Sequence, residues 1–262
     1  MKKIFDHYFY LSTVSVLITI FTFRSIAAST DYIYCLLVGF AVLTIYNFHP
    51  VFFKVDQSTT YKLNYSFGLP ILILLSLVGI AAFKLTLPSL MLLFMAFILC
   101  IGYFMKFYRW NLRSHYLTKP LTIGMVFGIC TAAIPYIQSG YLVSESLFLS
   151  IGRILFITTL ALIFDIGDVT QDKLEKNITI PSRWGMTKAK LFGVTLLALA
   201  FAIELWGAWN FLIDINGIVA IGFTYGITFL AVIFANPNRS WWYYEVFTDG
   251  IIGLPLIFLW IL

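Results

Sequence analysis

The chain has 262 residues, of which 61% are hydrophobic and 11% charged, and its formal net charge is +5 at pH 7. A soluble domain is about half apolar and a quarter charged, so this composition excludes an ordinary water-soluble fold. Outer-membrane barrels are also excluded, because their strands alternate apolar and polar residues over about 10 positions, whereas the apolar runs here are continuous. The sequence therefore predicts an all-α, polytopic membrane protein.

Nine apolar runs are long enough to cross about 30 Å of hydrocarbon as α-helices. In chain order they lie at 9–28, 32–53, 67–84, 87–105, 119–138, 147–166, 189–209, 213–235 and 244–262. The N-terminus has the charge order of a signal peptide, but no small-residue cleavage site follows its apolar core, so we interpret it as the first span. We predict one integral-membrane domain over residues 1–262.

The distribution of basic residues predicts the orientation of these spans. Three of the 17 Lys and Arg residues, Arg24, Lys84 and Arg153, fall on one side, and the others fall on the opposite side. Because an excess of Lys and Arg marks the cytoplasmic side, we predict a cytoplasmic N-terminus and an external C-terminus.

Three carboxylates follow the sixth predicted span, in the stretch FDIGDVTQDKLEKNITIPSRWG at 164–185. If the helix continues, Asp165, Asp168 and Asp172 lie at i, i+3 and i+7, within an arc of about 60°. Each carboxylate costs about 2.5–3.5 kcal/mol in bare hydrocarbon, so we expect the three to face a polar cavity and share a cation. Carboxylates with water and a substrate phosphate suit Mg²⁺. The alternative is a solvated helix end whose acids pair with neighbouring cations such as Lys173.

Two further features point to the same membrane face. The loop after the fourth span, KFYRWNLRSHYLTK at 106–119, is more basic than topology requires, which favours a site for a polyanion. Glu204 and Asp249 lie within predicted spans, where acids are functional candidates unless they pair with a neighbour or are protonated. Asp249 is near the cytoplasmic end of the last span, so we expect it at the mouth of the cavity.

The aspartate stretch resembles the second aspartate-rich motif of the UbiA-type intramembrane prenyltransferase superfamily. That motif reads roughly D-x-x-D-x-x-x-D and continues with Lys and T-[IL]-P-x-x-x-G, which this chain matches at Asp165, Asp168, Asp172, Lys173, Thr179, Ile180, Pro181 and Gly185. The resemblance implies a nine-helix bundle that encloses a lipid-open central cavity. It also implies a bacterial inner-membrane location and an active site near the cytoplasmic face.

The first motif of that family, N-D-x-x-D-x-x-x-D, is degenerate here. The stretch at 46–57 reads YNFHPVFFKVDQ, so Asn47 matches, whereas Phe48, Val51 and Val55 stand at the three Asp positions. His49 is new, and Asp56 lies one residue beyond the last expected carboxylate. The chain therefore resembles a bacterial branch with an altered first motif.

The resemblance implies an enzyme that uses Mg²⁺ and an isoprenyl diphosphate to alkylate a lipophilic acceptor within the lipid bilayer. By this resemblance the metal ligands are Asp165, Asp168 and Asp172, and the diphosphate is held by Tyr103, Lys106, Arg109, Arg113 and Lys173. Asn47 would bind metal-bound water, and His49 would replace a lost carboxylate as ligand or base. No nucleic acid is expected among the partners.

Three alternatives stay open from the sequence. A UbiA-type terpene cyclase needs no separate acceptor, and relatives of this fold with altered first motifs include cyclases. A non-catalytic homologue would bind an isoprenoid diphosphate without turnover. A small transporter is a weaker alternative, because neither broken helices nor repeat symmetry is clear in the sequence.

Overall fold

The structure is a computed structural model that describes residues 2–52, 74–75, 77–80, 83–104, 112, 115–174, 178–211 and 214–262, without the side chains of 2–6, 47–52, 104 and 211. Within these ranges the chain is helical and has no strand. Its helices are α1 (Lys2–Ser25), α2 (Tyr32–Phe52), α3 (Leu87–Phe104), α4 (Thr118–Gln138), α5 (Val143–Gly167), α6 (Val169–Leu174), α7 (Ile180–Trp184), α8 (Met186–Phe211), α9 (Ile215–Phe234) and α10 (Tyr243–Ile261).

Six of these helices, α1, α4, α5, α8, α9 and α10, are long and apolar enough to cross a membrane. Shorter apolar helices lie at Tyr32–Tyr46 and Leu87–Tyr103. An apolar helix therefore occupies each predicted crossing except the third, 67–84, which lies largely outside the described residues. The all-helical membrane class is confirmed, whereas the number of nine crossings stays a prediction.

Helix α5 lies at the centre of the bundle. It packs against α4 on one side and α8 on the other, while α9 joins α8 to α10 and α10 returns to α1. The main apolar core comes from these helices and includes Ile18, Phe156, Ile163, Ala200 and Leu256. The carboxylates that end α5 are thus carried by the helix with neighbours on both sides.

Helices α1 and α4 are tied together at one end and flank a cavity at the other. The hydroxyl of Thr22 donates to the carbonyl of Thr131 at 2.7 Å. Thr131 lies in a π-helical turn, Ile129–Ala133, just before Pro135, whose missing N–H interrupts regular α-helical bonding. At the other end of the same helices, His7 and Lys119 both line the cavity.

Candidate functional site

The cavity has a volume of about 600 Å³, within the range of small-molecule sites. Its wall comes from α1, α2, α4, α5, α10 and the connection before α10. Apolar side chains cover much of the surface. Apart from tyrosines, the ionisable residues on the wall are His7, Lys119, Asp165, Asp168, Arg239, Glu245 and Asp249.

The three aspartates follow one nearly uninterrupted helical path. α5 ends at Gly167, and Asp168 forms a turn with φ −85° and ψ 0° before α6 begins. The Asp168 N–H donates to the Phe164 carbonyl at 3.0 Å, and the Asp172 N–H donates to the Asp168 carbonyl at 2.9 Å. Asp165 and Asp168 line the cavity, whereas Asp172 is buried and is not among the lining residues.

Asp165 forms a buried ion pair with Lys119, at 2.5 Å between Nζ and Oδ1. Lys119 belongs to the first turn of α4 and brings the last cation of the basic loop onto the cavity wall. Asp165 is 2% exposed, and its second oxygen, Oδ2, has no hydrogen-bond partner among the described residues. Because an unmatched buried carboxylate oxygen is costly, this atom is a natural point for a cationic ligand to bind.

The carboxylates of the wall meet the modest requirements of a magnesium ion. Among the described side chains, no group of three or more His, Cys, Asp or Glu residues could hold a metal ion together. Mg²⁺ commonly needs only one or two protein carboxylates, with water and phosphate oxygens completing its shell. Asp165, with its unmatched Oδ2, and Asp168 on the same wall fit that lower requirement.

The charge of the wall leads to the same conclusion. Four carboxylates line the cavity, against the permanent cations Lys119 and Arg239 in the described part of the chain. A divalent cation held by these carboxylates would add positive charge that favours a diphosphate beside them.

Gly167 allows an aromatic ring to lie directly against the end of α5. A Cβ atom at this position would be 2.8 Å from Cζ of Tyr244 and 2.9–3.0 Å from its two Cε atoms. The Tyr244 hydroxyl donates to the carbonyl of Asn236 at 2.7 Å, which anchors the ring. A side chain of the last span thus makes close contact with the end of α5.

A second polar group on the wall comes from α1 and α10. His7 lies between two carboxylates, with Nδ1 3.7 Å from Glu245 Oε2 and Nε2 3.6 Å from Asp249 Oδ2. Glu245 belongs to a π-helical turn, Tyr243–Thr248, and also accepts a hydrogen bond from Trp241 Nε1. Asp249 was expected at the cavity and lines it, whereas sequence reasoning missed His7 and Glu245.

The segment between α6 and α8 explains the second half of the motif. The Thr179 N–H donates to Ser182 Oγ at 2.8 Å, which caps α7, and Pro181 fits the first turn of that helix. Gly185 then adopts φ +83°, a value that favours glycine. The T-I-P-x-x-x-G pattern is therefore local turn chemistry that redirects the chain into α8.

The other predicted site residues either do not line the cavity or have side chains that the structure does not describe. Tyr103 is half-buried in α3 and Lys173 is exposed on α6, and neither is among the lining residues. Asn47 and His49 lie on α2, whose Tyr46 reaches the cavity wall, but their side chains are outside what the structure describes. The remaining positions, Asp56, Lys106, Arg109 and Arg113, fall outside the described residues.

Comparison with known proteins adds one finding at the level of the fold. No family model matches the sequence, and none of the curated proteins compared with it matches. A solved structure from a study of digeranylgeranylglyceryl phosphate synthase in membranes matches with a TM-score of 0.65 and 18% identity, over 100% of this chain and 98% of that chain. This chain therefore shares the fold of that solved structure. The all-helical membrane fold that the resemblance implies is thereby confirmed, whereas the number of nine helices stays a prediction.

Proposed function

We propose that the protein is a membrane prenyltransferase that uses Mg²⁺ and an isoprenyl diphosphate to alkylate a lipophilic acceptor. The observation that carries this proposal is the group formed by Asp165, Asp168 and Lys119 on the wall of a cavity of about 600 Å³. We call this group the Asp165 cluster. It stands where a span ends, in a fold that a digeranylgeranylglyceryl phosphate synthase shares over its full length.

The residues of the Asp165 cluster would have different roles in binding the diphosphate. Asp165 and Asp168 would hold Mg²⁺, which supplies Lewis-acid stabilisation of the leaving diphosphate. Lys119 holds Asp165 in place through the ion pair and adds positive charge to the wall. Asp172 would support this group from its buried position on α6. We also retain the proposed diphosphate contacts of Tyr103, Lys106, Arg109, Arg113 and Lys173, and the roles of Asn47 and His49 beside the metal.

The apolar part of the wall suits the prenyl chain. Ile123, Phe127, Ile157 and Leu160 line the cavity on α4 and α5. Aromatic faces attract a neighbouring positive charge, so Phe127 and the rings of Tyr46 and Tyr244 can stabilise the allylic cation after the C–O bond breaks.

The donor and acceptor are proposed from the neighbouring structure. Its name describes a glyceryl phosphate that carries two geranylgeranyl groups. We propose a geranylgeranyl-sized donor and an acceptor with a free hydroxyl on a glyceryl lipid. The protein would work at the cytoplasmic face of a bacterial inner membrane, with its N-terminus inside.

A terpene cyclase is a second candidate, favoured by the altered first motif and by the aromatic rings in the cavity wall. Cyclisation would use the same ionisation step at the Asp165 cluster. The two functions differ in product, because a cyclase forms a hydrocarbon or alcohol without an acceptor.

The test is an assay of purified protein in lipid vesicles with geranylgeranyl diphosphate, Mg²⁺ and geranylgeranylglyceryl phosphate. We expect pyrophosphate release and an acceptor adduct detected by mass spectrometry, both lost on chelation with EDTA and restored by Mg²⁺. Asp168→Asn should abolish both signals, because it removes a carboxylate charge from the wall. Asp214→Asn, at an exposed helix start, is the matched control and should behave as wild type.

Each different outcome identifies a different function. A cyclised product without an adduct would establish the cyclase. Diphosphate binding without turnover, lost in Asp168→Asn, would establish the non-catalytic homologue. Turnover that is equal in wild type and Asp168→Asn would disprove the proposed site.

A further inference from the structure

The proposed diphosphate site leaves one charged group of the cavity unused: His7, Glu245 and Asp249, which we call the His7 cluster. All three line the same cavity as the Asp165 cluster, but they come from α1 and α10. The side chain of His7 is 15% exposed, that of Asp249 is 8% exposed and that of Glu245 is 37% exposed. Among the described residues the imidazole is thus mostly enclosed, and it lines the cavity.

The imidazole lies near both carboxylates but is too far from either to form a hydrogen bond. Its two nitrogens are 3.7 Å and 3.6 Å from carboxylate oxygens, beyond the 2.7–3.2 Å of a formed N–H···O hydrogen bond. Catalytic hydrogen bonds are often long before the substrate is bound and shorten in the reactive complex. The spacing therefore leaves a ring nitrogen able to accept a proton from a third group.

The surrounding backbone fixes α1 against α10 at this point. The hydroxyl of Tyr10, one turn beyond His7, donates to the carbonyl of Val246 at 3.0 Å. Gly250 permits this approach, because a Cβ there would be 2.4 Å from the same hydroxyl oxygen. Val246 and Glu245 belong to the π-helical turn Tyr243–Thr248, a kind of irregularity frequent at functional sites.

The transfer reaction needs a base that the Asp165 cluster does not supply. Alkylation of a hydroxyl releases a proton, while Asp165 is already paired with Lys119 and Asp168 would bind the cation. An imidazole changes charge near neutral pH and is therefore suited to take this proton. A carboxylate beside the second ring nitrogen orients the ring and stabilises its charged form, as in other base–orienter pairs.

We propose that His7 is the general base that deprotonates the acceptor hydroxyl through Nδ1, with Asp249 beside Nε2 as the group that orients it. The inference rests on the proposed prenyl transfer and adds to it the base and the place where the acceptor hydroxyl binds. The C–O bond to the diphosphate breaks, and its electron pair leaves with the diphosphate. The acceptor oxygen forms the new C–O bond, and its proton passes to His7, so that the products are an ether, pyrophosphate and an imidazolium.

The experiment measures two outputs of the same reaction in lipid vesicles with geranylgeranyl diphosphate and Mg²⁺. Without acceptor, the reading is pyrophosphate release by water. With geranylgeranylglyceryl phosphate, the reading is ether product. The ratio of transfer to water-driven release does not depend on how much protein is folded, so a poorly folding variant still gives an answer.

We expect His7→Gln to lower the transfer ratio by about a hundredfold, the usual contribution of a positioned base, while release without acceptor stays within about threefold of wild type. Asp249→Asn should lower the ratio by about tenfold, since the charged ring loses one stabilising neighbour. His115→Asn, an exposed histidine that does not line the cavity, is the matched control and should leave both readings unchanged.

The outcomes separate this inference from the proposed function. If wild type releases no pyrophosphate, the proposed function fails. If wild type releases pyrophosphate but makes no ether with the hydroxyl acceptor, or if His7→Gln keeps the wild-type ratio, prenyl diphosphate chemistry stands and the role of His7 is overturned.

Discussion

Helix α5 carries two buried charges in opposite settings, one near its C-terminal end and one near its middle. At one end Asp165 is 2% exposed and borders a cavity of about 600 Å³. Twelve residues earlier, about 18 Å along the helix axis, Arg153 is 4% exposed and borders a void of about 10 Å³ that it shares with Glu204. Asp165 Oδ2 and Arg153 Nη1 both lack a hydrogen-bond partner among the described residues.

The two sites differ in the space beside the charge. A void of about 10 Å³ is near the smallest that holds one water molecule, so Arg153 and Glu204 can act only on each other and on the bundle. Glu204 packs directly against Gly152, since a Cβ there would be 2.9 Å from Glu204 Oε1. The Asp165 end has room for a substrate, and the comparison teaches that available volume separates a structural charge from a functional one.

The largest expected effect comes from Asp165 itself. Asp165→Asn should lower pyrophosphate release with geranylgeranyl diphosphate by about a hundredfold or more, because the wall loses its most buried charge at the reacting group. Glu204→Gln is the comparison variant beside Arg153 and should keep the wild-type rate per folded molecule. An equal loss of pyrophosphate release in the two variants would contradict the distinction between the Asp165 and Arg153 sites.

Substitutions at Arg153 and Glu204 should instead change the stability of the fold. Glu204→Ala leaves a cavity beside the buried Arg153 guanidinium, and we expect a loss of about 2–5 kcal/mol in the free energy of unfolding. The double variant Arg153→Met, Glu204→Leu replaces both charges with apolar groups and should recover most of that loss. Denaturant unfolding in detergent measures both. A double variant no more stable than Glu204→Ala would argue against this account.

A smaller effect is expected where α5 meets Tyr244. Gly167→Ala forces the aromatic ring away from the helix and should destabilise the protein by about 1–3 kcal/mol, as overpacking does. The matched control is Gly226→Ala in α9, where no described heavy atom outside the adjoining helix backbone lies within 4 Å of the new Cβ, so a gain of about 0.5–1 kcal/mol is expected. Thermal unfolding of the two variants should therefore shift in opposite directions.

The smallest effect is at the start of the same helix. Glu145 accepts a hydrogen bond from the Leu142 N–H at 3.0 Å, and this contact satisfies one free donor of the first turn. Glu145→Ala should cost about 1 kcal/mol, the net value of one hydrogen bond, without any change in turnover. A loss as large as that of Glu204→Ala would show that exposure does not separate these two glutamates.

The apolar runs and the aspartate spacing predicted the helices, the fold and the carboxylates on the cavity wall. These features are local, because a span of about 20 apolar residues and an i, i+3 pair are set by the chain itself. Asp249 was also predicted at the cavity, since an acid inside a span is costly unless it faces a polar space.

The partners of these residues could not be predicted in the same way. Lys119 is 46 residues from Asp165, and only the packing of α4 against α5 brings them together. His7 meets Glu245 and Asp249 through contact between the first and last helices and a π-helical turn, which composition does not reveal. Arg153 was counted as a cation of the outer side, and its burial opposite Glu204 depends on tertiary packing.

The ring of Tyr244 fills the space that any side chain at position 167 would need. These two positions, far apart in sequence, are therefore bound to evolve as a pair. A homologue with alanine or serine at 167 should carry a smaller residue at 244, and tyrosine at 244 should occur only beside glycine. The same rule tells a protein engineer which second change must accompany any attempt to reshape this wall.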